Sequence, residues 1–333
     1  MPRVLYVHSR DTSFTRIDRA ALAERFEVLE HFQPGRRPQP LKLIRKLRRA
    51  EVVFGWHASS HTFLALILAR VMRRPSVLVI GGVDTARMPE IGYGMQRRGP
   101  RRLIARWTIA SATRLITNSS YSLDEIAANL GLGPNRVTRI YHGIPDRFAD
   151  PGDDRKPERM ALSVGVVYAL NLERKGQRPF VEAAASLPDV QFVLAGKWQD
   201  DAVEHLRSLA GPNVTFTGYL DDSELDSYFR RAAVYVQPSR HEGFGLAVAE
   251  AMLARCVPVV TDAGALREVV GDTGVVIGEP DPRQVADGIR QALELGPAAG
   301  ERARRRVLDE FSYEMRRDAI CREVEAALDD ARR

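Results

Sequence analysis

The chain has 333 residues, of which 44% are hydrophobic and 7% aromatic, and this is enough to bury two cores of ordinary domain size. No apolar run approaches the ~20 residues of a membrane-spanning helix, and residues 1–10 lack the layout of a signal peptide. Cys256 and Cys321 have neither a metal-binding spacing nor a disulfide framework. We therefore expect a cytoplasmic protein without a structural metal.

Charge is distributed unevenly along the chain. Residues 1–150 contain 25 Lys and Arg against 12 Asp and Glu, a balance of +13, whereas residues 151–333 contain 24 against 31, a balance of −7. A basic half of this kind attracts anionic membranes or nucleic acid. No zinc-finger, RNP or helix-turn-helix motif accompanies the charge, so we do not expect nucleic acid as a partner.

In the first half of the chain, short apolar runs alternate with helical patterns. Strands are predicted at 4–8, 51–55, 76–80, 114–118 and 136–141, with helices at 62–72 and 122–130. The alternation predicts a doubly wound parallel sheet. Ser122 and Glu125 have the spacing of a capping box at the start of the second helix, and Gly131 is expected to end it.

Two segments of this half combine cations with apolar residues. Leu41, Ile44 and Leu47 recur among cations, as in a basic amphipathic helix that rests on anionic lipid. A second patch lies beside Trp107 and consists of Arg97, Arg98, Arg101, Arg102 and Arg106. The pattern favours peripheral binding to an anionic membrane surface through the basic N-terminal domain, and an ordinary solvated surface is the alternative.

A cluster of Pro, Gly and Asp at 146–157 predicts a linker between two domains. Beyond it, strands are predicted at 160–167, 191–195, 214–217, 234–237 and 257–261, a second series of the same alternating kind. The tail, 311–333, has the pattern of a polar helix with four apolar positions at Met315, Ile320, Val324 and Leu328.

The segment 239–252 contains the most informative residues. Glu242 lies in a loop beside Gly243 and Gly245, and Glu250 is the only charge on the apolar helix that follows. The amides at the start of that helix favour an anion such as phosphate, and a carboxylate on a buried helix needs a hydrogen-bonding partner. Polyols such as sugars and ribose would supply one; a loop backbone group is the alternative.

Lys175 lies in a second loop, Glu173-Arg174-Lys175-Gly176, that follows a predicted strand. An ammonium group there could face the same phosphates as the helix N-terminus. A solvated loop lysine is the alternative interpretation.

Glu242 and Glu250 form the Glu-x7-Glu signature of the retaining glycosyltransferases of family 4 (glycosyltransferase group 1), and the chain resembles this family from about Val77 onward. The resemblance is strongest from 162 to 278. Further matching motifs are Asn118-Ser119-Ser120, His142-Gly143-Ile144, Arg174-Lys175-Gly176, Gly218-Tyr219-Leu220 and Pro258-Val259-Val260.

This resemblance implies an α/β protein of the GT-B fold, with two Rossmann-like doubly wound domains facing a central cleft. Residues 1–147 would bind the acceptor and residues 148–310 the nucleotide-sugar donor. Residues 311–333 would form a helix that crosses back and packs across the domain boundary.

The resemblance also implies roles for individual residues. Lys175 would stabilise the leaving diphosphate, Glu242 would contact the hexose and Glu250 the ribose. The amides of Phe244, Gly245 and Leu246 would hold the donor phosphates, and Gly218, Tyr219 and Leu220 would cradle the base, although Tyr219 could equally be a core residue. Arg174 could replace the family's usual arginine, since Val166 stands in that place.

On the acceptor side, Gly81 stands where the family usually has a histidine, and Asp84 remains as the nearby polar group that we assign to catalysis. Gly82, His57 and Ser13 are further acceptor-side candidates, although a lone histidine is more often structural.

The expected activity is the metal-independent, retaining transfer of a hexose from a nucleotide-diphosphate sugar, more readily UDP- or GDP-linked. The acceptor would be a glycan, a lipid-linked sugar or a small polyol, and the enzyme would be cytoplasmic or peripheral on the inner membrane face. No cofactor is expected. A catalytically weak sugar-nucleotide-binding scaffold and a sugar-phosphate-using phosphorylase or synthase of the same fold are the alternatives. A nicotinamide-dependent oxidoreductase is disfavoured because no Gly-x-Gly-x-x-Gly follows the first strand of either half.

Overall fold

The computed structural model describes residues 1–35, 38–149 and 157–332. It divides the chain into two compact units, one formed by Met1–Gly143 with Tyr313–Arg333 and the other by Ile144–Ser312. Each unit is an α/β layer structure built on a six-stranded parallel sheet. These are the two Rossmann-like sheets of the GT-B fold.

The first unit alternates strands and helices along the chain. Its elements are β1 (Arg3–His8), α1 (Ser13–Ala23), β2 (Glu27–Phe32), α2 (Pro40–Leu47), β3 (Val52–Trp56), α3 (Ser60–Val71), β4 (Ser76–Val79), α4 (Pro100–Ser111), β5 (Arg114–Thr117), α5 (Ser120–Leu130) and β6 (Val137–Arg139). The strand order is β2-β1-β3-β4-β5-β6. Because successive side chains of a strand alternate between faces, Leu5 and Val7 pack under α2–α5, whereas Val4 and Tyr6 pack on the opposite side.

The second unit repeats this plan. Its elements are β7 (Glu158–Val164), α6 (Ala169–Arg174), α7 (Gln177–Ala183), β8 (Gln191–Ala195), α8 (Ala202–Leu209), β9 (Val214–Gly218), α9 (Asp222–Arg231), β10 (Ala232–Gln237), α10 (Leu246–Leu253), β11 (Val257–Thr261), α11 (Leu266–Val270), β12 (Val275–Ile277) and α12 (Pro282–Glu310). The order is β12-β11-β10-β7-β8-β9. Helix α12 is kinked at Gly296, just before Pro297.

The last helix, α13 (Tyr313–Arg332), belongs to the first unit. Its residues Ile320, Val324 and Leu328 are buried with α1 and the β1–β3–β4 face, whereas Met315, predicted as part of the apolar face, is 51% exposed. A buried ion pair fixes the helix, since Arg316 Nη2 lies 2.6 Å from Asp18 Oδ2 and both side chains are only 1% exposed. The helix is thus anchored by polar as well as apolar contacts.

Unit limits differ slightly from the predicted domain limits at 147/148 and 310/311. Ile144 groups with the second unit because its N–H donates to Phe311 O at 2.8 Å. Phe148 packs edge-to-face on Phe229 of the same unit. Most of the predicted linker, 150–156, lies outside the described residues.

Several local predictions were wrong. Strands β2 and β12 were not predicted, because β2 carries charged and polar residues on an edge and β12 has only three residues. The capping box at Ser122 was also wrong: α5 begins at Ser120, and Ser119 caps it by accepting a hydrogen bond from Ser122 N at 3.0 Å. Gly131 does end this helix, in the left-handed conformation.

The predicted basic helix exists as α2, but its apolar face is turned inward. Leu43 and Leu47 are buried in the core of the first unit, and only Leu41 is largely exposed. Of the predicted stripe, Leu47 is therefore buried, Ile44 is half-buried and Leu41 alone is exposed.

Candidate active site

Glu242 lies on the loop that joins β10 to α10. The loop is held in place by Gly264, where an added Cβ would come within 2.2 Å of Glu242 O, and by Ala265, whose N–H donates to the same oxygen at 2.9 Å. Gly264 has φ +64, a conformation that favours glycine. The close approach fixes the backbone from which the Glu242 side chain projects.

Lys175 approaches Glu242 from the end of α6. Its neighbour Gly176 has φ +64, and a Cβ there would lie only 2.0 Å from Pro238 O, so only glycine lets this loop pass the end of β10. As a result, Lys175 Nζ donates to Glu242 Oε2 at 3.1 Å, although the two residues are 67 positions apart.

The pair is mostly buried, with side-chain exposures of 21% for Lys175 and 18% for Glu242. Burial acts to raise the pKa of Glu242, but the Lys175 ammonium and the Arg174 guanidinium outweigh it and lower the pKa below its usual value. Gln237 Nε2 donates a second hydrogen bond to Glu242 Oε2 at 2.9 Å. The carboxylate is therefore held ionised, with a cation beside it.

The amides of Phe244, Gly245 and Leu246 lie where this loop turns into α10. Gly245 has φ +107 and precedes the helix, which begins at Leu246. The Phe244 ring is buried edge-to-face on Phe311, with centroids 5.3 Å apart. A helix N-terminus beside Lys175 and Glu242 places a positive dipole end next to a cation and a carboxylate.

Glu250 faces a cation that sequence reasoning missed. Arg147 Nη2 lies 3.6 Å from Glu250 Oε1, and Arg147 Nε lies 2.8 Å from Asp226 Oδ1. The side chain of Glu250 is 13% exposed. Arg147 thus joins two carboxylates that belong to α10 and α9.

Arg174, predicted as a donor-binding residue, is buried. It is 8% exposed, and its Nη2 donates to Asn171 Oδ1 at 2.8 Å. Its Nη1 also donates to His241 O. These contacts tie Arg174 to the Glu242 loop, and its positive charge helps to lower the pKa of Glu242.

The segment predicted to receive the base follows β9. Tyr219 is 74% exposed, which excludes the alternative of a core tyrosine. It stands between Gly218, which has φ +74, and the half-buried Leu220. The ring of Trp198 lies 3.8 Å from where a Cβ would stand on Gly218.

In the first unit, Asp84 and His57 form a pair. Asp84 is fully buried, its Oδ2 lies 3.1 Å from His57 Nδ1, and its Oδ1 has no hydrogen-bonding partner among the described residues. His57 has φ +67, which is uncommon for a residue with a side chain, and its side chain is 22% exposed. The two acceptor-side candidates are therefore adjacent.

The Asn118 side chain lies close to Gly81, where the family usually has a histidine. A Cβ on Gly81 would lie 2.7 Å from Asn118 Oδ1, whereas one on Gly82 would meet only the Tyr93 hydroxyl at 3.9 Å. Ser13 is the first residue of α1 and is half-buried.

Two further histidines of this unit are structural. Burial lowers the pKa of His61 to about 4, and its Nε2 lies 2.9 Å from Trp56 O. His142 is stacked on the Trp56 ring with centroids 5.7 Å apart, and burial holds its pKa well below the usual value.

Across residues 1–35, 38–149 and 157–332, no group of three or more His, Cys, Asp or Glu side chains is arranged to hold a metal ion. Within the same ranges, every helix is too short or too polar to cross a bilayer.

Each half of the chain matches the model of a known protein family. The model described as Glycosyltransferase Family 4 matches residues 2–148, and the model described as Glycosyl transferases group 1 matches residues 153–310. The chain belongs to this family of glycosyltransferases.

Curated relatives of this family 4 chain match over part of their length. It is 30% identical over 210 residues to D-inositol 3-phosphate glycosyltransferase 1 of Catenulispora acidiphila. This match covers 56% of the chain and 50% of the relative. It is 32% identical over 202 residues to O-antigen chain mannosyltransferase B of Escherichia coli, covering 56% and 53%. The chain spans about half the length of these relatives.

Solved structures share its fold. The Anabaena protein HepE, in complex with UDP and glucose, aligns with a TM-score of 0.80 at 16% identity over 98% of this chain and 100% of HepE. WaaG, a glycosyltransferase involved in lipopolysaccharide biosynthesis, aligns with a TM-score of 0.70 at 19% identity over 95% and 98%. At these identities the likeness concerns the fold.

Proposed function

We propose that this protein is a retaining hexosyltransferase that uses a nucleotide-diphosphate sugar and needs no metal ion. The observation that carries the proposal is the Lys175–Glu242 pair at the N-terminus of α10, with Glu250 on that helix. It combines a cation and helix amides for a diphosphate with two carboxylates for hydroxyl groups.

The roles follow from these chemical demands. Lys175 and the amides of Phe244, Gly245 and Leu246 stabilise the charge that develops on the departing diphosphate. Glu242 accepts hydrogen bonds from the hexose and thereby aligns its anomeric carbon. Glu250 accepts those of the ribose.

In the proposed reaction, the bond from the anomeric carbon to the diphosphate oxygen breaks and a bond to the acceptor oxygen forms on the same face of the sugar. The proton of the acceptor hydroxyl passes to the departing phosphate, so no protein base is consumed. Lys175 moves from Glu242 toward this phosphate as its charge grows.

UDP- and GDP-linked donors are the first candidates, and HepE, which shares the fold, was solved with UDP. The acceptor is a glycan, a lipid-linked sugar or a small polyol, as the names of the inositol phosphate and O-antigen relatives suggest. Asp84 and His57 are the acceptor-side groups of this proposal, with Gly82 leaving room for the substrate. The proposed location is cytoplasmic, with peripheral binding to the inner membrane face.

The experiment is donor turnover in EDTA with a panel of UDP-, GDP-, ADP- and TDP-linked hexoses, with the anomeric configuration of the product determined by NMR. A retained configuration, with loss of turnover in Glu242→Gln, supports the proposal. An inverted product would refute the retaining mechanism.

A second candidate is a sugar-nucleotide-binding scaffold of weak activity. Glycine at position 81 favours it, because the acceptor unit then lacks the imidazole usual in the family. Nucleotide binding without turnover of any donor would select this candidate.

A further inference from the structure

The outward face of α4 is apolar. Pro100, Leu103, Trp107 and Ala110 recur every three or four residues and are all exposed, with Leu103 60% and Trp107 63% exposed. The inward face of the same helix is also apolar, because Ala105 and Ile109 are buried in the core of the first unit. A helix that is apolar on both sides is normally buried in protein or in lipid.

Arginines flank this stripe along the helix. Arg98 and Arg101 are exposed and Arg102 is partly exposed, near the N-terminal end of α4. Cations around exposed Trp and Leu side chains are typical of helices that lie in the interface of an anionic membrane.

A cationic groove lies at the other end of the stripe. This surface groove, of about 340 Å³, is lined by Ala110 and by Arg70, Arg73 and Arg74 from the end of α3. The acidic residue in its lining, Asp330, is already paired with Arg114 at 2.8 Å. Arg74 Nε is buried and has no hydrogen-bonding partner among the described residues. An anionic group in the groove would therefore meet the positive charges of Arg70, Arg73 and Arg74.

We propose that the outward face of α4 docks on an anionic membrane: Leu103 and Trp107 insert at the headgroup level, and the Arg70–Arg73–Arg74 groove binds a lipid phosphate. The inference specifies the membrane partner of the proposed function. It assigns the contact to α4, since α2 buries Leu43 and Leu47 in the core. Nucleic acid is disfavoured because the exposed Leu103 and Trp107 side chains suit a bilayer interface better than a phosphate backbone.

The test is co-sedimentation of the full chain with vesicles of phosphatidylcholine, with or without one-third phosphatidylglycerol, at physiological salt. We expect binding to the anionic vesicles only. Leu103→Ser/Trp107→Ser should weaken it more than tenfold, and Arg70→Gln/Arg73→Gln about thirtyfold, because each cation at an anionic surface contributes about fivefold.

The matched control is Arg16→Gln/Arg322→Gln. It removes the same charge from exposed positions on α1 and α13, which cover the opposite face of the sheet, and should change binding less than threefold. Leu41→Ser, at the exposed position of α2, should bind like wild type. Brominated lipid should quench the fluorescence of the wild type but much less that of Trp107→Phe.

Equal losses in the control and groove variants would overturn the proposal, because attraction would then depend on net charge alone. Full binding by Leu103→Ser/Trp107→Ser, or preference for RNA over the anionic vesicles, would also overturn it. Nucleotide binding by each variant, measured without vesicles, reports the donor site separately. A variant that binds nucleotide normally but not vesicles has kept its fold.

Discussion

Removing Lys175 should expose how strongly the candidate site depends on the Lys175–Glu242 pair. At 3.1 Å and an effective dielectric constant of about 20, the Coulomb attraction is about 5 kcal/mol. Most of this offsets the removal of two charges from water. In Lys175→Met, the Gln237 amide is the one side-chain hydrogen-bond donor left to Glu242 among the described residues, so we expect a loss of about 2–3 kcal/mol of unfolding free energy.

The assay is a double-mutant cycle by urea denaturation, followed by circular dichroism at pH 7.5. Lys175→Met/Glu242→Gln should be more stable than Lys175→Met, since the buried charge is then gone. Lys197→Met, which removes an exposed lysine from the same unit, should cost less than about 0.5 kcal/mol. If the cost of the double variant equals the sum of the costs of Lys175→Met and Glu242→Gln within about 0.5 kcal/mol, the two side chains are not coupled and the reasoning fails. Both single variants should also lose transfer.

Three further predictions concern other contacts. Arg147→Gln should weaken nucleotide binding about fivefold by calorimetry, because the cation 3.6 Å from Glu250 orients that carboxylate; an unchanged affinity would rule out this role. His61 has a folded pKa of about 4 against 6.5 in the unfolded chain, so its contribution, up to about 3 kcal/mol, is complete above pH 6.5 and lost as the pH falls toward 4. Between pH 7 and 4, His61→Asn should lose less unfolding free energy than the wild type, as measured by urea denaturation. An identical loss in the two proteins would contradict this assignment. Arg316→Met should cost about 3–5 kcal/mol, because Asp18 is left charged and buried, and Arg316→Met/Asp18→Leu should recover much of it in thermal melts.

The alternation of strands and helices was predictable because each buried strand is a continuous apolar run between turn residues. Strand β2 was not predictable in this way, since Glu27, Glu30 and His31 interrupt the apolar run on this edge strand. The start of α5 was misplaced because Glu125, assigned to a capping box, accepts a hydrogen bond from the Thr85 hydroxyl instead.

In the candidate site, the sequence indicated the residue types but not their partners. Lys175 and Glu242 were each singled out, but their contact depends on Gly176 passing Pro238, a tertiary feature without a local signal. Arg147 was missed because it lies in a stretch that reads as a polar linker. Arg174 was predicted as a donor contact, yet neighbouring loops enclose it.

Helix α2 was predicted correctly as a helix, but its environment was not. An amphipathic pattern defines an apolar face but not what covers it, and Leu43 and Leu47 are covered by the first unit's own core. In α4 the opposite happened. The sequence analysis described this segment by its arginines, whereas the structure shows that Leu103 and Trp107 are exposed there.

The most direct test of the proposed function is calorimetric binding of UDP, GDP, ADP and TDP in EDTA, with wild type and Glu250→Ala compared. We predict that one nucleotide binds without metal and that Glu250→Ala weakens it at least tenfold, because the ribose loses its carboxylate. Binding of none of the four, or an unchanged affinity in Glu250→Ala, would contradict the assignment of α10 and its loop as the donor site.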